Sequence, residues 1–161
     1  MSNNFEITRL EDLKSFPLYA CSKEIIRRYK PFLDPLDLTY TQYLTLMALW
    51  NKKRITVKAL GECLYLDSGT MTPVLKKLEN KGYITRTRST EDERSVVIEL
   101  TERGAALQRE TGYIPSKVNE HVKLSPEEEL QLNHLLYKML LGLQGCALHP
   151  VAALAGSARW Q

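Results

Sequence analysis

Between Leu66 and Leu100 the chain reads LDSGTMTPVLKKLENKGYITRTRSTEDERSVVIEL, a helical pattern that runs straight into a hairpin pattern. Asp67 or Ser68 supplies a capping oxygen. Met71, Val74, Leu75 and Leu78 then recur at the spacing of one buried helix face, and Gly82 stops the helix. The opposite face carries Ser68, Thr70, Thr72, Lys76 and Lys77, hydroxyls first and ammonium groups further along, a chemistry suited to base edges and phosphates. Pro73 falls inside this helix and predicts an irregular first turn or a slight bend, while offering an apolar contact such as a thymine methyl. Two β-branched runs, from Ile84 to Ser89 and from Ser95 to Leu100, predict a hairpin with Val96, Ile98 and Leu100 turned one way. Its arms and tip carry Arg86, Arg88 and Arg94. A groove-filling helix followed directly by a hairpin of arginines is the plan of a winged helix. The helix reads the major groove and the wing reaches a neighbouring minor groove.

The upstream segments extend this plan. Thr39 with Gln42 three residues on forms a capping box that opens a helix carrying Tyr43, Leu44, Leu46, Met47 and Trp50 inward. A third helix opens at Thr56, with Val57, Leu60 and Leu64 inward, and passes through Tyr65 and Leu66 into the recognition helix as a helix-turn-helix. Lys58 near its start is placed to meet a phosphate or to sit exposed as an ordinary lysine. The first long helix is expected from Leu10 or Glu11 to Tyr29, ended by Pro31 and Pro35, with Pro17 confined to its first turns or to a kink.

After the hairpin, Thr101 caps a helix that continues past Pro115 after a break. Ser125, Pro126 and Glu128 open a last helix bearing Leu130, Leu132, Leu135, Leu136, Met139, Leu140 and Leu143. That is more apolar surface than one small domain can cover, and it points to a partner chain. From Gly142 on, charge and periodicity disappear, which reads as a flexible or vector-derived tail over about 146–161, and the lone His149 is assigned nothing.

The 161 residues with 43% hydrophobic content fit one compact, mainly α domain with a small β-hairpin wing. The formal net charge is only +3, so a nucleic-acid partner depends on clustering, and Lys76, Lys77, Lys81, Arg86, Arg88 and Arg94 supply it. No apolar run approaches the roughly 18 residues of a membrane span, and the polar N-terminus has no secretory core, so the expected location is the cytoplasm. Cys21, Cys63 and Cys146 have no metal-ligand spacing and no disulfide framework. No cofactor or metal site is read. Cys21 and Cys63 are expected to be inert small hydrophobes.

The stretch LDSGTMTPVLKKLENKGYITRTRSTEDERSVVIELTERG resembles the DNA-binding core of the MarR family of transcriptional regulators, with the D-x-R turn at Asp92 to Arg94 and the LT-x-x-G that follows as its telling features. The likeness continues upstream through LYACSKEIIRRYKPFLDPLDLTYTQYLTLMALW, covers roughly residues 10 to 140, and is nearer to the OhrR branch, which senses organic hydroperoxides. It implies a homodimer held by helices at about 10–30 and 102–143, a DNA-binding lobe at about 39–100 within a domain spanning 1–145, and a pseudopalindromic double-stranded operator. It also implies a reactive cysteine on the first helix, near tyrosines that here are Tyr19, Tyr29 and Tyr40.

At the position of that cysteine stands Ser15. A serine hydroxyl cannot form the sulfenic acid that starts a peroxide response. Cys21, about 120° further round the helix at roughly 100° per residue, does not face the same tyrosines. Two explanations stand open: a natural relative that senses something else, or a cysteine deliberately changed to serine, holding the reduced, DNA-binding form. The organic hydroperoxide is then the effector of the cysteine form only. Competing functions are a repressor released by a small amphipathic ligand, oxidation sensing through Cys21, a thiol peroxidase, and a winged helix used only for protein interaction. The last two are disfavoured because no cysteine has a motif histidine or arginine beside it and because a basic face is present. Ser15 is expected within hydrogen-bond reach of Tyr29 or Tyr40, one of them from either subunit. Arg94 is expected to enter a minor groove, held by the Asp92 carboxylate.

Overall fold

A computed structural model describes residues 9–90, 92 and 94–143, so Cys146, His149 and the tail lie outside the described residues. The elements are α1 (Ser15–Leu33), α2 (Tyr40–Lys52), β1 (Arg54–Thr56), α3 (Val57–Leu64), α4 (Ser68–Asn80), β2 (Ile84–Arg88), β3 (Val96–Leu100), α5 (Glu102–Thr111), α6 (Ile114–Asn119) and α7 (Pro126–Leu143). Short 3-10 turns at Leu10–Asp12 and Asp34–Leu36 flank α1.

The local start signals form as the side chains dictate. The Thr39 hydroxyl accepts from the Gln42 amide while the Gln42 side chain accepts from the Thr39 N–H. Thr56 caps α3, Asp67 caps α4, Thr101 caps α5, and Ser125 makes the reciprocal exchange with Glu128.

The first helix departs from expectation at both ends. It begins at Ser15, because Leu13 is extended and Pro17, as the third helical residue, has no intrahelical acceptor to lose. It runs through Pro31 to Leu33, because burying Leu33 and half-burying Phe32 offsets one missing hydrogen bond. The hairpin is also part of a larger sheet. Three antiparallel strands lie in the order β1-β3-β2, with Ile84 opposite Leu100, Arg86 opposite Ile98 and Ile55 opposite Ile98. Because β3 is central, Val97 is buried as well as Ile98, so Val96, Ile98 and Leu100 are not its sole inward residues.

One core joins the helices and the sheet: Leu33, Tyr43, Leu46, Leu49, Leu60, Met71, Leu75, Leu78, Ile84 and Ile98 are essentially inaccessible. The LT-x-x-G segment fixes the sheet to the helices. The Thr101 amide donates to the Tyr83 carbonyl (3.1 Å) and its hydroxyl to the Gly82 carbonyl (2.6 Å). A Cβ on Gly104 would lie 2.0 Å from the Tyr83 oxygen, so only glycine fits there. The Trp50 indole N–H donates to the Gly104 carbonyl (2.9 Å), tying α2 to the same corner. Among the described residues, no helix is long and apolar enough to cross a membrane.

Candidate nucleic-acid interface and sensor residues

Helix α4 turns Met71, Leu75 and Leu78 inward and leaves Ser68, Thr70, Thr72, Pro73, Lys76 and Lys77 exposed, as the periodicity requires. Asp67 accepts from the Thr70 amide (2.9 Å) and the Thr70 hydroxyl (3.0 Å), and these bonds hold its carboxyl below the usual range. The Thr72 hydroxyl donates to the Ser68 carbonyl (2.8 Å). Both threonine protons are therefore spent within the helix, and what these hydroxyls still present outward is acceptor capacity.

The wing tip is built around Asp92. Its carboxylate accepts from the Ser95 hydroxyl (2.7 Å) and from the backbone N–H of Arg94 (3.1 Å), and these two bonds keep its pKa below the ordinary value. This corrects the expected ion pair. Asp92 shapes the turn through the backbone of Arg94, not through its guanidinium. At the wing's root Arg86 is engaged instead, by Glu79 in the last turn of α4, with Nε–Oε2 2.8 Å and Nη2–Oε2 2.5 Å.

A cleft of about 860 Å³ opens between α3, α4 and the wing, and it gathers Lys58, Ser68, Thr72, Arg86, Arg94 and Ser95. Thr70, Pro73, Lys76 and Arg88 are exposed outside its lining. Lys77 lines a second cleft with Asp37 and Lys81, where the Lys81 ammonium donates to the Asp37 carbonyl and pairs with its carboxylate. Asp37 is held below its usual pKa by that hydrogen bond.

Within one chain the sensor residues fall into two places, Ser15 and Tyr19 at one end of α1 and Tyr29 with Tyr40 at the other. Tyr29 packs against Tyr40 (centroids 4.8 Å apart) and Tyr43 (6.0 Å). Burial, then the neighbouring Tyr40 and Tyr43, push the Tyr29 phenol up to about 12, and burial raises Tyr40 too. Both are proton donors at neutral pH. Tyr43 spends its hydroxyl on the Thr111 carbonyl (3.0 Å). Ser15 is exposed in the first turn of α1, and the helical rise of roughly 1.5 Å per residue places it about 21 Å along the axis from Tyr29. Tyr19 is 64% exposed near the same end. An intrachain Ser15 contact with Tyr29 or Tyr40 is thus corrected by the length of the helix itself. Cys21 is exposed rather than buried, since among the described residues nothing covers the N-terminal half of α1, whereas Cys63 is half-buried and burial pushes its thiol up.

Helix α1 exposes Phe16 and Leu18 in that half and Ile25 and Ile26 just beyond it, and α7 buries no residue at all, with Leu130 74% and Leu143 81% accessible. Charge and periodicity pointed to Lys58 and the α4 face. They missed Glu79 and the Ser95 hydroxyl, whose contributions depend on which strand, turn and helix are brought together.

The transcriptional regulator SarA/Rot family model matches residues 27–110. The organic hydroperoxide resistance transcriptional regulator of Bacillus subtilis is 51% identical over 140 residues, 87% of this chain and 95% of that protein. The HTH-type transcriptional regulator SarZ of Staphylococcus aureus is 48% identical over 113 residues, 70% of this chain and 76% of that protein. Reduced AbfR bound to DNA superimposes with a TM-score of 0.72 at 31% identity, covering 85% of this chain and 96% of that one.

Proposed function

The chain belongs to the MarR-type winged-helix transcriptional regulators, in the branch of the organic hydroperoxide resistance regulators, and from that premise we propose that it is a homodimeric, sequence-specific DNA-binding repressor of an organic peroxide resistance response. The observation that carries this reading is the cleft in which Lys58 and Arg94 converge with the Ser68 and Thr72 hydroxyls beside the exposed face of α4. Its ammonium and guanidinium groups supply donors that a duplex backbone requires, and the Thr72 hydroxyl presents an acceptor. A relative of the same fold is DNA-bound. Helix α4 enters a major groove, where Thr70 and Thr72 accept from base amino groups and Lys76 and Lys77 meet phosphate or a guanine edge. Arg94 enters the flanking minor groove from a turn that Asp92 pre-forms.

The dimer reading is supported by the uncovered apolar residues of α1 and α7, since exposed apolar surface of that kind marks interaction sites. Two copies place their recognition helices about one helical turn, roughly 34 Å, apart on one face of a pseudopalindrome. The dimer also resolves the separation along α1: Ser15 of one subunit reaches the buried phenols of the other, the sensor pocket being shared. Ser15 keeps the hydrogen-bonding capacity of the expected cysteine but not its redox chemistry, so the chain stays in the DNA-binding form when hydroperoxide is added.

The test is operator binding with and without cumene hydroperoxide for this chain and its Ser15→Cys variant. The parent should hold DNA under both conditions and the variant should release it on oxidation. The exposure of Cys21 favours a second reading, oxidation sensed there, and equal release by both proteins would select it.

A further inference from the structure

The register of the wing places Arg86 opposite Ile98, a fully buried residue of β3, so Arg86 sits on the sheet face that the core covers, with Ile84 two residues before it. The Arg86 side chain is about two-thirds covered, at 32% exposed, and the Glu79 side chain it meets is covered to nearly the same degree, at 34%. Both guanidinium contacts go to a single oxygen of Glu79. This is the pair that bridges the last turn of α4 and the root of the wing, across the turn where Gly82 takes φ +71° and the Tyr83 amide bonds to the Leu78 carbonyl (3.1 Å).

We infer that Glu79 is a positioning and specificity-determining residue that holds Arg86 away from the nucleic acid. This rests on the DNA-binding reading above. Arg86 lines the same cleft as Lys58 and Arg94, yet its charge is already met by a charge-assisted pair whose geometry is fixed by a helix end and a strand. A cation so engaged does not neutralise a phosphate and so displaces no counterion from the duplex, and it adds nothing to sequence-independent affinity. What it adds is orientation: the wing is braced against the recognition helix, so Arg94 can enter the minor groove only when α4 is seated in the adjoining major groove. Without the carboxylate, Arg86 becomes a free phosphate-seeking cation on a looser wing. Affinity for any duplex rises and discrimination falls.

The test uses the full chain with two probes: a 30-base-pair duplex selected by the parent protein from a randomised library, and a shuffled duplex of the same composition. For Glu79→Gln the slope of log K against log salt on the shuffled duplex should steepen by about one unit per protomer. The ratio of selected to shuffled affinity should fall at least fivefold. Arg86→Ala alone should leave the parent's slope unchanged, and the double variant Glu79→Gln/Arg86→Ala should lose the gain in slope. A slope gain that persists in the double variant would show that removal of any negative charge suffices and would overturn the inference, as would an unchanged affinity ratio for Glu79→Gln. A parent protein that selects no sequence from the library would instead sink the DNA-binding reading itself.

Discussion

Replacing Gly104 by alanine puts the packing at the wing's base to a quantitative test. The added methyl would lie 2.0 Å from the Tyr83 carbonyl oxygen and 3.1 Å from Leu100 Cδ2. Restoring an ordinary carbon–oxygen approach of about 3.3 Å requires α5 to retreat by more than about 1 Å. Two long-range hydrogen bonds cross that gap, Thr101 N–H to Tyr83 O and the Thr101 hydroxyl to Gly82 O, and a third, Trp50 Nε1–H to Gly104 O, holds the turn that would have to move. At about 1 kcal/mol each their loss costs about 3 kcal/mol, and overpacking adds about 1–3 kcal/mol. Against this, alanine is favoured over glycine in a helix by at most about 1 kcal/mol. The clash wins, and the net destabilisation is about 3–5 kcal/mol, a large share of a typical domain's stability. Urea unfolding followed by far-UV circular dichroism, at one fixed protomer concentration because the protein is proposed to dimerise, measures it. Trp50→Phe, which removes only the indole bond, should cost about 1 kcal/mol by the same assay. A Gly104→Ala protein as stable as the parent would refute the argument, since the close approach would then not be holding the wing in place.

Introducing charge on the uncovered helix, Leu135→Glu with Leu136→Glu, should give a monomer at micromolar concentration in sedimentation equilibrium and lower operator affinity at least tenfold; a persistent dimer would place the interface elsewhere. Arg94→Ala should weaken operator binding and flatten the salt slope by about one unit per protomer, and unchanged binding across salt would reduce Arg94 to an ordinary surface residue. The Asp92 carboxyl titrates below its unfolded value of about 3.9. Its contribution to wing order is therefore complete above that value and is lost as the pH falls through the lower folded-state pKa. The Arg94 amide resonance should move in that acid range and should not do so in Asp92→Asn, whereas a shift centred above pH 5 would assign the titration to another group.

What was legible in the sequence was what the chain decides within three or four residues. Thr39 with Gln42, Asp67 with Thr70, Thr101 with Gly104 and Ser125 with Glu128 all cap as their side chains predict. The hairpin arms are right to within a residue at their ends. Contacts that depend on tertiary placement were not legible. Strand β1 is only Arg54–Thr56, too short to signal itself, and it exists because β3 offers it an edge. The pairs Glu79–Arg86 and Asp37–Lys81 join elements whose separation in sequence carries no period. Tyr29 and Tyr40 lie on α1 and α2 as read, and of the two ways of bringing Ser15 to them, within one chain or across two, the rise of the helix excludes the first.

Pro73 shows how such a conflict between local and tertiary preference is settled. In a helix interior proline costs about 3 kcal/mol, because it removes an amide donor and its ring crowds the carbonyl of the residue four before. Here that residue is Gly69, whose backbone is the most adaptable available. The ring and the crowded carbonyl both belong to the exposed side, so the unpaired oxygen can be satisfied by solvent. On the inner face Met71, Leu75 and Leu78 are 0%, 1% and 0% exposed. At about 1.5–3 kcal/mol each their burial outweighs the proline. The ends of the helix are fixed independently, by the Asp67 cap at one and by the Lys81–Asp37 and Glu79–Arg86 contacts at the other. The helix therefore holds its course because the core and its pinned ends dictate it, and a residue unfavourable to helices is left free to serve the outer face.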